Sequence, residues 1–287
     1  MEIRLSQTMG YCSGVSRALA MAEKAIDQAK AEGQPVYSLG KLIHNRQVNE
    51  RFAAQGVREI ESPEEGEAGV VVVRAHGIPD HLRQAFTAGG YQLVDATCPV
   101  VKHNLRQIAL YCKTHTILIV GHRGHPETLA MQGVQVAGTV CNSRLITSLD
   151  EVGECHEGER YAVFVQTTFD EIAWSVIKEK LDGFRSNGCE VIFVNDVCSS
   201  SVNRRSALLA LTEECDAIIV IGGKNSANTR ALYLLALEAG VKAWHIEGPD
   251  DVLPEMHDCA ILGITAGAST PTEVIDDVIQ RLEQEQQ

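Results

Sequence analysis

The sequence predicts an α/β fold with mainly parallel sheets, and three observations predict it. Short apolar runs alternate with helical patterns along the whole chain. These runs lack polar alternation, as strands buried on both faces of a parallel sheet do. One kind of junction, an apolar strand running through a cysteine into a helix, recurs about once per third of the chain, at Cys12, Cys98 and Cys198.

In chain order, the first junction is EIRLSQTMGYCSGVSRALA. Val15, Leu19, Ala22, Ile26 and Ala29 then mark one helix face, and Gly33 ends that helix. Strands are expected at 35–40, 69–75 and 91–96, the last leading into Cys98. Beyond it Val101, Leu105, Ile108 and Cys112 step by four, three and four, again one helix face. Further strands are expected at 115–121, 161–166 and 190–195, the last leading into Cys198. Strands at 216–222, 242–247 and 259–266 complete the series. Parallel strands joined through helices imply right-handed crossovers. No Gly/Ser/Pro-rich linker interrupts the chain, so boundaries are placed at the cysteine junctions. The units are then 13–97, 98–196 and 197–287, with residues 1–12 packed centrally and carrying the first cysteine. The loop SPEEGEAG (62–69) and the tail EQEQQ read as solvated.

Composition excludes several classes. At 287 residues, 45% hydrophobic and 22% charged, the chain can bury a sizeable core. A net charge of −13 disfavours nucleic acid and an anionic membrane surface as partners. No apolar run reaches the ~20 residues of a membrane span. The N-terminus lacks a secretory pattern, so a cytoplasmic location is expected. Nine cysteines in a chain of this length favour a reducing compartment, with thiol or metal roles.

Three thiolates from three units suggest one shared site. Iron or zinc held by three Cys keeps one position open for chemistry. Cys112, Cys215 and Cys259 read as core residues, and Cys141, Cys155 and Cys189 carry no assignment. His81, His103, His115, His156, His245 and His257 read as surface or capping residues.

Ligands of open parallel sheets bind beyond the carboxyl ends of the strands. Those ends carry LIHNR with His44, RAHGIP with His76, and GHRGHPE with His122, His125 and Glu127. Further on come QTTFD with Thr167 and Thr168, GGKNSANT with Ser226 and Asn228, and TAGAST with Ser269. Imidazoles and small hydroxyls on Gly-rich turns beside helix starts are what a phosphate or diphosphate site needs. Glu127 has two readings here, a catalytic acid or a carboxylate stabilised by a helix dipole. Dinucleotide, P-loop and nucleophile-elbow fingerprints are absent from the sequence.

At CSGV, LIHNRQV, AHG, DATCP, GHRGHPE, QTT, NRR, GGKNSANT and TAGAST, in that order, the chain resembles the 4-hydroxy-3-methylbut-2-enyl diphosphate reductase family. The resemblance implies three similar α/β units in a pseudo-threefold trefoil around a central 4Fe–4S cluster. It implies an oxidoreductase of isoprenoid biosynthesis, acting in the methylerythritol phosphate pathway. Cys12, Cys98 and Cys198 would ligate the iron–sulfur cluster, whose fourth iron binds the substrate hydroxyl. His44, His76, Ser226, Asn228 and Ser269 would hold the diphosphate of the small allylic substrate. His125 would lie near it, Glu127 would relay protons, and Thr167 would bond near the reacting hydroxyl. The products would be isopentenyl and dimethylallyl diphosphate, with a ferredoxin or flavodoxin as electron donor.

The chain departs from the family pattern near the pocket. Ala227 replaces a serine between Ser226 and Asn228, and Ser199-Ser200-Ser201-Val202 replaces the common Tyr-Ala-Thr-Thr. Tyr11 and Ser13 flank Cys12 where Phe and Ala are more usual, and Ala130 stands where Gly is common. One alternative is therefore a relative reducing a different substrate at the same open-iron cluster. Another is a non-enzymatic iron–sulfur sensor or electron carrier, which would have no need of the His- and Asn-rich turns.

Overall fold

The structure is a computed structural model that describes residues 1–284. The end of the EQEQQ tail lies outside the described residues. The chain begins with strand β1 (Glu2–Leu5) and helix α1 (Ser13–Ala31), followed by β2 (Val36–Leu39) and α2 (Arg46–Ala54). Next come β3 (Arg58–Ile60), β4 (Val70–Val73), α3 (Asp80–Ala88), β5 (Gln92–Asp95) and α4 (Pro99–Tyr111). The middle third holds β6 (Thr116–Val120), α5 (Pro126–Gln132), β7 (Gln135–Val136), β8 (Thr139–Val140) and β9 (Ser143–Ile146). It continues through β10 (Arg160–Val165), α6 (Glu171–Asp182) and β11 (Glu190–Phe193). The last third holds α7 (Ser199–Thr212), β12 (Ala217–Ile221), α8 (Ala227–Glu238), β13 (Lys242–Ile246), β14 (Ile261–Ala266) and α9 (Thr272–Gln284).

Three four-stranded sheets, parallel throughout, carry the architecture. Their orders are β3-β2-β4-β5, β9-β6-β10-β11 and β13-β12-β14-β1. Each reads second, first, third, last, except that the N-terminal strand β1 supplies the last position of the third sheet. That edge strand is in every case the one that precedes a cysteine. Strands β7 and β8 form a small antiparallel ribbon.

Two compact units are present. One comprises Met1–Ser16, Ile43–Phe52 and the chain from Ser199; the other comprises Arg17–Leu42 and Ala53–Cys198. The first holds the β13-β12-β14-β1 sheet. On β12, Ala217, Ile219 and Ile221 pack with Leu262, Ile264 and Val278, while Ile218 and Val220 pack with Leu208, Leu232 and Leu235 on the opposite face. Both faces are covered, which is why AIIVI shows no polar alternation. The second unit holds the other two sheets. Its cores centre on Val71, Val73 and Phe86, and on Ile117, Ile119 and Phe164.

All nine runs expected as strands are strands. Strands β3 and β9 were not anticipated, because both lie at sheet edges. Their residues, REI and SRLI, are partly exposed and carry no continuous apolar run.

Several side chains depart from expectation. Cys112, expected only to pack in the core, is joined by a disulfide to Cys141, with Cα atoms 5.6 Å apart. Cys112 caps the C-terminus of α4 and Cys141 immediately follows β8, a tertiary proximity with no local signature. The His115 side chain is 4% exposed and stacks on Tyr111, so it is not a surface residue. His245 is half-buried and donates Nε2–H to the Gly222 carbonyl at 2.9 Å. Among the described residues, no helix is long and apolar enough to cross a membrane.

Burial on both faces of β12 makes a specific stability prediction. Ile218→Ala and Ile219→Ala, one on each face, should each cost about 2–5 kcal/mol in urea unfolding. Leu110→Ala, on an exposed helix position, should stay within about 0.5 kcal/mol. A near-neutral result at either isoleucine would mean that one face of the sheet is open.

Candidate active site

The sheets repeat a backbone device at two places. The first lies after the first strand of each sheet. Gly40, Gly121 and Gly222, each one residue past that strand, donate N–H to the carbonyls of Ile60, Ile146 and Ile246 at 3.0, 3.0 and 2.8 Å. Those carbonyls end the neighbouring edge strands β3, β9 and β13. Four residues past the three glycines stand His44, His125 and Ser226. Each turn then feeds a helix, capped in turn by Asn45 Oδ1 (from Val48 N–H, 3.0 Å), His125 Nδ1 (from Glu127 N–H, 3.2 Å) and Ser226 Oγ (from Thr229 N–H, 3.3 Å).

The second device lies after the third strand. The carbonyls of Ala75, Thr167 and Ala268, each two residues past β4, β10 and β14, accept the N–H of Cys98 (2.9 Å), Cys198 (2.9 Å) and Cys12 (3.1 Å). The flanking side chains are His76, Thr167 with Thr168, and Ser269. The ten polar positions singled out at the strand ends thus come from two equivalent turns per sheet.

Each cysteine opens a helix. Ser16 N–H donates to the Cys12 carbonyl at 2.9 Å, and Lys102 N–H to the Cys98 carbonyl at 2.8 Å. Val15 N–H points at Cys12 Sγ at 3.4 Å. The three cysteines are half-buried and outside any disulfide. A cysteine at a helix start is a donor type that suits iron.

Neighbouring residues pin the cysteine turns. Asp95 Oδ1 accepts from the N–H and hydroxyl of Thr97, and Oδ2 accepts from Lys102 Nζ at 2.8 Å. Burial works against the Asp95 charge, yet hydrogen bonds from Lys102 and Thr97, with the charge of Arg83, hold its carboxyl below the usual range. Arg17 donates to the Thr97 carbonyl at 3.2 Å. Before Cys198, the Asn195 amide bonds both the N–H and the carbonyl of Val165, at 2.9 and 2.8 Å. Sequence reading missed Asp95 and Asn195 as supports. DATCP and VNDVC did place a polar residue two or three positions before each cysteine, which was the available signal.

Within the second unit, Glu127 and Thr167 are brought together. Thr167 N–H donates to Glu127 Oε1 at 2.9 Å, and the Thr167 hydroxyl bonds Oε2 at 2.7 Å. Glu127 is 1% exposed. Burial pushes its carboxyl up to about 7, against the opposing effect of both Thr167 hydrogen bonds. A carboxylate held only by a helix dipole would shift the other way. His76 and His125 stack edge to face with ring centroids 5.4 Å apart. Gln166 was also missed. Its Oε1 accepts from His122 N–H at 2.9 Å and from the Thr128 hydroxyl at 3.3 Å, and its Nε2 donates to Thr168 Oγ1 at 2.9 Å. It thereby ties the GHRGHPE turn to the QTT turn.

Within the first unit, the Ser269 hydroxyl donates to the His44 carbonyl at 3.2 Å. Asn228 is buried, and its Nδ2 has no hydrogen-bond partner among the described residues. A buried donor left over beside the N-terminus of α8 suits an oxygen-rich anionic ligand. Gly267 allows close approach here, since a Cβ on it would stand 2.0 Å from Thr229 Oγ1.

The raised Glu127 pKa has a thermodynamic signature. Folding raises this pKa above its ordinary value of 4.5, so the folded state binds the extra proton. Its contribution is fully present below about pH 4.5 and is lost as pH rises to about 7, on the order of 3 kcal/mol in total. In Glu127→Gln that slope in stability against pH should vanish. An unchanged slope in thermal or urea unfolding would contradict the assignment.

Comparison with known proteins bears on the identity of this site. The family model described as LytB protein matches residues 3–283. The 4-hydroxy-3-methylbut-2-enyl diphosphate reductase of Aquifex aeolicus is 33% identical over 287 residues, covering 99% of this chain and 96% of the relative. The enzyme of that name from Solidesulfovibrio magneticus is 36% identical over 291 residues, covering 99% of both. Among solved structures, (E)-4-hydroxy-3-methyl-but-2-enyl diphosphate reductase, described as the terminal enzyme of the non-mevalonate pathway, superposes with a TM-score of 0.73. It is 32% identical and covers 99% of this chain and 100% of that one. The Plasmodium falciparum reductase structure shares the fold, with a TM-score of 0.88 at 24% identity over 97% of this chain and 87% of that one. The chain therefore belongs to the LytB family, the family of the 4-hydroxy-3-methylbut-2-enyl diphosphate reductases.

Proposed function

We propose that the chain reduces 4-hydroxy-3-methylbut-2-enyl diphosphate to isopentenyl and dimethylallyl diphosphate. The reaction takes up two electrons and two protons, breaks the allylic C–O bond and releases water. One observation carries this reading: a fully buried carboxyl, Glu127, with its pKa at about 7 and a hydroxyl, Thr167, at 2.7 Å. A general acid is most effective when its pKa lies near the working pH.

The cofactor of this reading is a 4Fe–4S cluster ligated by Cys12, Cys98 and Cys198. When bound, it would supply electrons and, at the iron without a protein thiolate, a Lewis acid. The chain's own residues would do the rest. His44, His76, Ser226, Asn228 and Ser269 would hold the diphosphate, and the leftover Asn228 Nδ2 donor supports that assignment. His125 would lie beside the substrate. The Glu127 proton would pass at Oε2, where the Thr167 hydroxyl can accept it or return it. Electrons would come from a donor such as ferredoxin or flavodoxin. The repeat of one sheet order three times supports a division into units at 13–97, 98–196 and 197–287.

Anaerobic turnover of the allylic diphosphate with a reduced dye tests the reading. Wild type should form both products, and Glu127→Gln should turn over ~100- to 10,000-fold more slowly while still binding substrate. Near wild-type turnover in Glu127→Gln would remove the carboxyl from the mechanism.

A second reading, the same reduction on a different substrate, is favoured by Ala227. It is the first residue of α8, between Ser226 and Asn228, and lacks the hydroxyl usual in the family. For the proposed substrate, Ala227→Ser should lower KM a few-fold with kcat unchanged, by adding one donor worth about 1 kcal/mol. No activity in wild type together with strong activity in Ala227→Ser would favour the second reading.

A further inference from the structure

We propose that Arg204 is a positioning residue for the Cys12 turn, clamping the Gly10 carbonyl to Ser200 at the start of α7. The inference rests on the proposed cluster reading and concerns a residue outside the pocket set.

Arg204 lies on the second turn of α7 and is 3% exposed. Its Nη2 donates to the Gly10 carbonyl at 2.6 Å. Its Nη1 donates to the Ser200 carbonyl at 2.9 Å and also makes a short bond to Ser200 Oγ. Gly10 has φ +73°, and a Cβ there would press on Ile275 Cδ1 at 3.3 Å, so the turn requires glycine at this point. Cys12 follows two residues later, with its N–H on the Ala268 carbonyl. The Cys12 turn is thus held by strand β14 from one side and by Arg204 from the other.

Burying a guanidinium is costly unless its donors are satisfied. Here Nη2 is spent on the Gly10 carbonyl, at a turn that presents a ligand, and Nη1 on the Ser200 carbonyl of Arg204's own helix. Asp95 and Asn195 hold the other two cysteine turns, and Arg204 supplies the corresponding support for the third. The planar fork suits this task, because two parallel donors fix two acceptors at once. A lysine keeps the charge and loses the fork. Ser200 stands where the family commonly has alanine, so its hydroxyl is an addition of this chain to the clamp. A fixed cation two peptides from a thiolate ligand also favours the more reduced, more anionic state of a bound cluster.

The test uses the anaerobically prepared holoprotein and the variants Arg204→Met, Arg204→Lys and Ser200→Ala. It reads the rate of iron release to a chelator and the cluster midpoint potential. Loss of an outer-shell support typically costs ~10- to 100-fold in metal affinity. Arg204→Met should therefore release iron at least roughly 10-fold faster, with its potential moved to more negative values. Arg204→Lys should keep the potential and release iron at an intermediate rate, and Ser200→Ala should show a smaller increase of about 2- to 3-fold. A wild-type release rate and potential in Arg204→Met, or a lower melting temperature with both unchanged, would overturn the proposal. If Arg204→Met does not fold, wild-type release from both Arg204→Lys and Ser200→Ala would do so. A wild-type protein without any cluster would instead sink the function reading, and this proposal with it.

Discussion

The rest of the molecule depends on one main-chain hydrogen bond, made three times. The N–H of Cys12, Cys98 and Cys198 each donates to a carbonyl two residues past the end of the neighbouring strand. That bond ends the sheet at a fixed register, turns the chain into a helix and leaves the sulfur at the helix N-terminus. Because the accepting carbonyl belongs to Ala75, Thr167 or Ala268, the same bond also fixes the pocket candidates His76, Thr167 and Ser269 beside the cysteine turns.

The parallel sheets make this possible. A strand buried on both faces has no freedom to slip, since a one-residue shift would move every side chain to the other face. Strands β4, β6, β10, β12 and β14 carry mostly buried apolar residues and so hold their ends in place. Polar chemistry collects just beyond those ends, where the backbone leaves the core. Glu127 is the extreme case. Burial alone would make a carboxyl there costly, and the molecule keeps it by letting it stay protonated near neutrality and by giving it Thr167 as a partner.

Much of this is legible in the sequence, and the physical reason is burial. VVVV, TILIV and AIIVI announce strands because both their faces are covered. REI and SRLI stay silent because edge strands answer to only one neighbour and partly to solvent. The pocket candidates could be named because His, Asn and Ser stand out against Gly-rich turns. Their structural equivalence could not, because the one backbone position carries His44 and His125 in two turns and Ser226 in the third, within turns of otherwise different sequence. Supports such as Asp95, Asn195, Gln166 and Arg204 look like ordinary polar residues until their partners are known. The Cys112–Cys141 disulfide was invisible for the same reason: proximity of a helix end to a distant strand leaves no local mark.

The central proposal is that Cys12, Cys98 and Cys198 ligate one iron–sulfur cofactor. Iron and acid-labile sulfide in anaerobically purified protein test it most directly, measured for wild type and for each single Cys→Ser variant. The account predicts ~4 iron and ~4 sulfide per chain in wild type. Cys12→Ser, Cys98→Ser and Cys198→Ser should lose the cluster, and Cys215→Ser, a change in the core of the first unit, should keep it. Folded wild-type protein with near-zero iron, or full iron retention in any of the three junction variants, would contradict it.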